Sequence, residues 1–554
     1  MTRSELLGAD LHLILSLRVR GRIYRVADVE MTIPNTSDSE QPNLLAYGAG
    51  LEVEDLPAAA ELGAEGVQEA RSASCTLSLP DPETWEALTA STLGFGRATA
   101  ELSIYRSGDD YGDRVILLDG RIDQVLYGDA FEPISFEITD EASTEDRTLI
   151  PDPALAATSS LWPRASSTGV SFPADTSDGM VYPEVWGAPG LVRSDDDFDT
   201  AYGWPGILVE VDSTTGDNFS SGAVDAVVLC MGHLGTAIET GGVRLTNRSS
   251  GSYMTVTPTA TQDKAGNAVL IATIAGADLV ITSGDELWFS SISEARGGWA
   301  RETSKATCAR GAGEIIRRLL LRSTLRIDIA GSEAAFQVLD GYLLDFYLDD
   351  PTRTVIDVVG ELLENLPAAI VPTEAGYRIV AWPASATAET VIATIDPRIA
   401  GERSSDVSVG SSAELYTDLI LDYAYDVAEG VARRRLWFSP QAEVGATEHP
   451  SCRRAWAALG GKDTDRRTLT LSSEVIWDPG SASAVLGILA RRAAYQPLRV
   501  AYLLPQEYGA IEPGQAVLVN DEDVNISTRV SWGVSITKST GDVEIVIETL
   551  PTED

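Results

Sequence analysis

Between Leu11 and Val19 the apolar residues alternate. Leu11, Leu13, Leu15, Leu17 and Val19 fall on one side, His12, Ser16 and Arg18 on the other, and Ile14 alone breaks the pattern. A period of two places successive side chains on opposite faces, which a strand does and a helix cannot. Similar short runs at Ala100–Tyr105, Val115–Leu118 and Ile134–Ile138 are read as strands too. In the last, Phe136 shares a face with the two isoleucines and Glu137 points away. Asp119-Gly120 and Gly128-Asp129 predict turns between these strands, and one helix is predicted at Asp81–Leu93, opened by Pro82. The first 140 residues therefore predict a twisted antiparallel sheet or barrel.

The pattern changes along the chain. Ser, Thr, Pro, Ala and Asp dominate from Glu141 to Asp178, the composition of a linker or of an extended arm draped over a neighbour. After the phrase Val181-Tyr182-Pro183-Glu184-Val185-Trp186-Gly187, short strands return at Ile207–Val211, Val224–Cys230, Val243–Asn247, Tyr253–Pro258, Val269–Ala275 and Leu287–Ser290. Helical spacing first becomes strong in Cys308–Arg322, where Cys308, Ala312, Ile315, Ile316, Leu319 and Leu320 recur at intervals of three and four. A second helix is predicted over Pro351–Leu366, with Asp349 and Asp350 as caps and Pro351 in its first turn. A strand follows at Gly376–Trp382 and a third helix at Ala482–Tyr495. Strands close the sequence at Leu498–Leu504, Ala516–Val519, Val530–Thr537 and Val543–Thr549. In the last, Val543, Ile545 and Ile547 face one way and Glu544 and Glu548 the other.

Charge limits the partners. The 554 residues carry 41 Lys and Arg against 83 Asp and Glu, a net charge of −42. No basic surface is left over to neutralise phosphates or anionic lipid, so nucleic-acid binding is not expected. With 44% hydrophobic residues each domain can bury a core. The most apolar run, Leu11–Val19, is far short of a membrane span, and Met1–Glu5 does not open a signal peptide. Such acidity is common where ambient salt is high.

Candidate chemistry is sparse. Cys75, Cys230, Cys308 and Cys452 lie too far apart for a disulfide framework or a cluster site and are read as buried thiols. The three histidines, His12, His233 and His449, sit in no motif. No nucleophile elbow, zinc-peptidase, P-loop or dinucleotide motif is present. Glu361 and Glu364 read as the solvated side of a helix, Ser194–Asp199 as an exposed acidic loop, and Asp521–Asn525 as a hairpin turn. No catalytic, cofactor-binding or metal-ligating residue is assigned, and no cofactor is expected.

The order of parts resembles the tail-tip, baseplate-hub or tail-hub proteins of tailed bacteriophages. Leu15–Val26 is similar to the opening strand pair of the hub's first barrel, and Leu118–Asp123 to a later hairpin. Tyr182–Gly187 is similar to a Tyr-Pro phrase that follows the first domain. The helix from Cys308, then Ala335-Phe336, Tyr342, the helix from Pro351 and the strand Tyr377–Trp382 resemble the hub's middle region. Gln496–Val500 with Ile511–Val519 resembles its closing domain. Some relatives hold a cysteine-bound cluster near the C-terminus; with only Cys452 in its last third, this chain cannot supply four local thiolates.

The expected fold is mainly β with a smaller α+β part, in several β-barrel or β-sandwich modules. The expected divisions are an N-terminal barrel-like domain (1–140), an arm (141–180), a second β module (181–300), an α+β middle (301–400) and a C-terminal β domain with one helix (401–554). The resemblance implies a non-enzymatic virion protein made in the host cytoplasm. It would be a homotrimeric hub closing the distal end of the tail tube, in contact with tube or distal tail, tape-measure, and fibre or tip proteins. The second reading is an acidic multi-domain β enzyme acting on carbohydrate through a carboxylate pair, which needs paired acids converging in an aromatic cleft. A fibre or receptor-binding protein is a third, but repetitive β sequence and heptads are absent.

Overall fold

The computed structural model describes residues 11–19, 22–36, 42–55, 72–78, 98–127, 133–140, 148–157, 179–194, 196–211, 224–231, 242–256, 258–263, 265–274, 279, 285–292, 308–373, 376–382, 391–399, 402–403, 407–409, 415–505, 508, 511, 513–524, 526–538 and 542–549. The helix expected at Asp81–Leu93, the turn at Gly128-Asp129 and most of the arm at 141–178 lie outside them. The fold is mainly β with a smaller α+β part.

The N-terminal strands form a nine-stranded sheet. Its order is Met31–Pro34, Leu44–Ala49, Arg22–Ala27, Leu11–Val19, Thr99–Arg106, Val115–Tyr127, Ile134–Asp140, Ser72–Leu77 and Leu51–Asp55. Leu44–Ala49 and Leu51–Asp55 lie near opposite ends of this order yet are joined by Gly50 alone. The sheet is therefore rolled, and its ends approach each other at Gly50. The φ of Gly50 is 112°, a conformation that favours glycine. No ladder joins the two ends among the described residues, so the expected barrel is rolled but not closed by hydrogen bonds.

The pattern break at Ile14 has a physical cause. Leu15, Leu17 and Val19 enter the core inside the roll, with Cys75, Leu102, Ile122 and Phe136. Ile14 enters a second, smaller core on the outer face, with Ile33, Leu45, Tyr47, Tyr105 and Tyr111. Both faces are covered at that point, so both sides of the strand are apolar. The Asp119-Gly120 turn does not exist. The pair lies inside the 13-residue strand Val115–Tyr127, opposite Glu101 and Ala100, and Gly120 also pairs with Asp140. Strands on both sides override the turn preference of the dipeptide. The resemblance to a hairpin at Leu118–Asp123 is corrected in the same way.

The described strands between Trp204 and Ser291 form two four-stranded sheets. One is Trp204–Pro205, Leu287–Ser291, Val243–Asn247, Ser252–Val256; the other is Ile207–Val211, Val224–Met231, Ala268–Ile274, Pro258–Gln262. The single strand expected over Tyr253–Pro258 is two, one in each sheet. Trp204, Leu208, Val243, Leu245, Leu270 and Phe289 fill the space between.

Five helices are described beyond residue 308: α1 (Ala312–Leu320), α2 (Ile329–Leu339), α3 (Val355–Glu364), α4 (Pro450–Leu459) and α5 (Pro479–Ala493). α1 starts four residues after Cys308, which pairs as extended chain before the helix begins. α3 starts after Pro351, because Thr354 and Asp357 form a reciprocal capping box there and Asp349 and Asp350 do not cap it. Neither α2 nor α4 was expected. One core takes in Ile150, Trp186, α1–α3 and α5, and the sheet Thr447–Glu448, Val431–Ser439, Asp418–Asp426, Thr468–Ser472. It runs continuously across residue 400.

The C-terminal sheet orders Val391–Ile395, Ala516–Asp521, Ile526–Lys538, Asp542–Thr549, Leu498–Pro505 and Glu402–Arg403. Its two outer strands are again neighbours in sequence, and Ile395, Tyr502, Val517, Ile536 and Ile545 lie inside the curve. The chain turns as expected after Asp521, through a short 3-10 segment at Glu522–Val524; Asn525 lies outside the described residues. Glu548 is not on a solvated face. It is buried at 6% exposure and accepts from Arg499 at 3.0 Å.

Leu319 has no exposed surface and sits in the shared core. Leu319→Asp removes its packing and strands a carboxylate, so the expected loss exceeds about 4 kcal/mol. Denaturant melts measure it; an unchanged midpoint would contradict the placement of α1.

Candidate functional site

Every residue from Val181 to Leu191 is buried. The segment threads between the sandwich and the helical core, and its short strand Glu184–Trp186 pairs antiparallel with Phe346–Leu348. Strand alternation sends Val185 into the sandwich core and Trp186 into the helical core, where it stacks on Phe346 at 6.5 Å between ring centroids. The Tyr182 hydroxyl donates to Asp263 at 3.0 Å, and Arg322 donates to Glu184 at 2.5 Å. Gly187 has φ 69°, and a Cβ there would stand 2.2 Å from the Leu344 carbonyl oxygen.

That close approach delivers the Ala188 N–H to Asp345, which accepts it at 2.7 Å. Arg310 donates to both carboxylate oxygens of Asp345, each at 2.7 Å, and the Asp345 N–H donates to Val475 at 2.8 Å. Asp345 is wholly buried and Arg310 is 7% exposed. One ion pair thus ties together four chain segments, those around residues 188, 310, 345 and 475. The two-pronged guanidinium matches the carboxylate geometry.

Further arginine–aspartate pairs surround it. Asp196, expected in an exposed acidic loop, is turned inward and held by Arg434, which also donates to the Trp477 carbonyl at 2.7 Å. Arg193 donates to Asp478 at 2.7 Å, and Arg433 to Asp426 at 2.7 Å. Burial would raise the Asp478 carboxyl, but bonds from Ser481 and Arg193 outweigh it and hold the group below its ordinary range. Asp418 behaves alike: burial opposes, while Arg466, Thr417 and Trp437 together win.

Beside this lattice lies a cleft of about 470 Å³ between Phe346–Leu348, α3 and the segment 472–477. Asp349, Glu361, Glu364 and Glu474 line it, with Arg353 and the aromatic Tyr347, Tyr425 and Trp477. Glu361 and Glu364 are exposed as expected, and Glu361 is engaged by Arg353. Burial, then the charge of Asp350, raises the Asp349 carboxyl. Of the carboxylates that line the cleft, Asp345 and Glu361 are committed to arginines.

Cys75, Cys308 and Cys452 are buried, and burial pushes the Cys75 and Cys452 thiols up to about 12. His12 meets Asp28 and Ser107, while His449 stacks on Phe438 at 4.7 Å. The structure brings none of these cysteines or histidines into one site with the cleft. Arg310 and Asp345 escaped sequence reading. Their signal was a single charge inside each of two apolar stretches, Ala309-Arg310-Gly311 and Leu344-Asp345-Phe346.

No family model and no curated protein sequence matches the chain. Among solved structures, it is similar to the 43 kDa tail protein of prophage MuSo2 from Shewanella oneidensis. The identity is 10%, the coverage 97% of this chain and 98% of that one, and the TM-score 0.36. A tail protein from Neisseria meningitidis MC58 matches at 9% identity, 97% and 96% coverage and a TM-score of 0.35. At scores this low the likenesses do not establish a shared fold.

Replacing Asp345 by Ala leaves the Arg310 charge and the Ala188 N–H without their acceptor. The expected loss is about 3–5 kcal/mol in urea denaturation. The double variant Arg310→Met/Asp345→Leu should cost less than Asp345→Ala, because no buried charge is stranded. A loss below about 1 kcal/mol for Asp345→Ala would refute the clasp.

Proposed function

We propose that this chain is a structural protein of a bacteriophage tail tip, a hub closing the distal end of the tail tube. The observation that carries the reading is the order of parts. A rolled sheet lies at each flank, one within Leu11–Asp140 and one whose strands fall at 391–403 and 498–549, and with them stand a sandwich and a helical middle that extends to Ala493, joined by the buried Tyr-Pro segment. Apart from the sandwich, this is the element order on which the sequence resemblance rests. The polar groups of the interior support it too, because the arginine–carboxylate pairs described above brace one segment against another.

In this reading the protein is not an enzyme and resides in the virion tail. Its partners are a tail-tube or distal tail protein and the tape-measure protein on one side, and fibre or tip proteins on the other. Two rolled sheets per chain suit a homotrimer, since three chains then present six sheet modules to a six-fold tube. Closed cyclic symmetry leaves no interface unpaired. The charge of −42 per chain opposes association until salt screens it or the interfaces become extensive.

The isolated protein is expected to be monomeric in dilute low-salt buffer and trimeric on the tail. Cryo-microscopy of the assembled tail tip checks this: three copies around the axis support the hub, whereas six copies or one contradict it.

A further inference from the structure

One sheet edge beside the cleft is open. Thr468–Ser472 is outermost in its four-stranded sheet, paired in parallel with Asp418–Asp422 on one side, and no described strand lies on the other. At its two ends the Asp418 N–H donates to the Arg467 carbonyl at 3.0 Å and the Ser473 N–H to the Asp422 carbonyl at 2.8 Å. Backbone direction alternates along a strand, so the N–H and C=O groups of Thr468, Thr470 and Ser472 point away from the sheet. All three residues are exposed.

Proteins usually guard such an edge with a charge, a proline or a bulge. Four other outer strands here are guarded, although Ser252–Val256 likewise lacks charge and proline. Met31–Pro34 ends in proline, Leu51–Asp55 carries three acids, Glu402–Arg403 is charged, and Val391–Ile395 has a register shift between Val391 and Ala393. Thr468-Leu469-Thr470-Leu471-Ser472 has no charge and no proline, and its register is unbroken. Its last residue, Ser472, is also a wall of the acidic, aromatic cleft.

We propose that this edge and cleft together receive an extended segment of another protein, which adds as a strand to Thr468–Ser472 and lays a lysine or arginine into the cleft. Main-chain pairing along an edge supplies affinity, and a side-chain pocket beside it supplies specificity. Among the described residues that line the cleft, Asp349, Glu361, Glu364 and Glu474 meet one cation, Arg353, which Glu361 already engages. The half-buried Tyr425 also lines the cleft, and an aromatic ring attracts a cation. An acidic segment would meet like charge in the same place. The proposal stands independently of the tail-tip reading.

The test uses the full chain and a labelled decapeptide alternating valine and lysine, with an alternating valine–glutamate peptide as control, followed by fluorescence anisotropy. Thr470→Pro removes one outward N–H and leaves the inward ladder intact. Glu474→Lys reverses an exposed charge of the cleft. Binding of the lysine peptide alone is expected, weakened about tenfold or more by each variant while the thermal melt is kept. If Thr470→Pro fails to fold, Glu474→Lys carries the test. No binding to the native chain, equal binding of both peptides, or unchanged affinity in either folded variant would overturn the proposal. Unchanged affinity in both would mark general attraction to an acidic surface.

Discussion

The structure depends on one buried ion pair and the backbone that reaches it. Asp345 accepts two bonds from Arg310 and one from the Ala188 N–H, and its own N–H is bound by Val475. The approach is possible only because Gly187 carries no side chain against Leu344 and Asp345. Charge pairs taken out of water repay little net stability, yet losing one partner is costly. The pair therefore acts chiefly on arrangement, fixing how the sandwich, the helical core and the segment 473–477 meet. Trp186 and Val185, on alternate sides of the same strand, supply the apolar burial on either side of it.

This use of charge is notable in so acidic a chain. Only four of its 41 basic residues are lysine: Lys264, Lys305, Lys462 and Lys538. Arginine brings a rigid fork that bonds a carboxylate at two points, where an ammonium is a point charge. Arg310 and Arg434 spend that capacity inside the fold, on Asp345 and Asp196, while Arg433 and Arg193 bond Asp426 and Asp478 through one carboxylate oxygen each. Each such pair withdraws one charge of either sign, so the net charge of −42 stays with the rest of the chain. The chain repels nucleic acid and other copies of itself unless salt screens it, so any assembly of this chain is coupled to ionic strength.

What the sequence revealed tracks how local each cause is. Leu11–Val19 and the helix around Leu319 were legible because a single buried face imprints its period on the chain. Ile14 looked like an error and was the trace of a second core. α2 and α4 left little trace because their buried faces include Ser332, Ala335, Ser451, Cys452 and Ala455, small residues with weak hydropathy contrast. Asp119-Gly120 misled because flanking strands, not the dipeptide, decide that stretch. The Arg310–Asp345 pair joins residues 35 apart, and nothing local announces which acid an arginine will meet. The cleft and its open edge are likewise products of tertiary placement.

The central claim is that the segment Val181–Leu191 is held as firmly as the cores it joins. Native-state hydrogen exchange at the Ala188 amide, followed through rising sub-denaturing urea, addresses it most directly. The clasp predicts exchange only through global unfolding, with the same urea dependence as the slowest amides of α1 and α3. Exchange at Ala188 through a small opening insensitive to urea would contradict it.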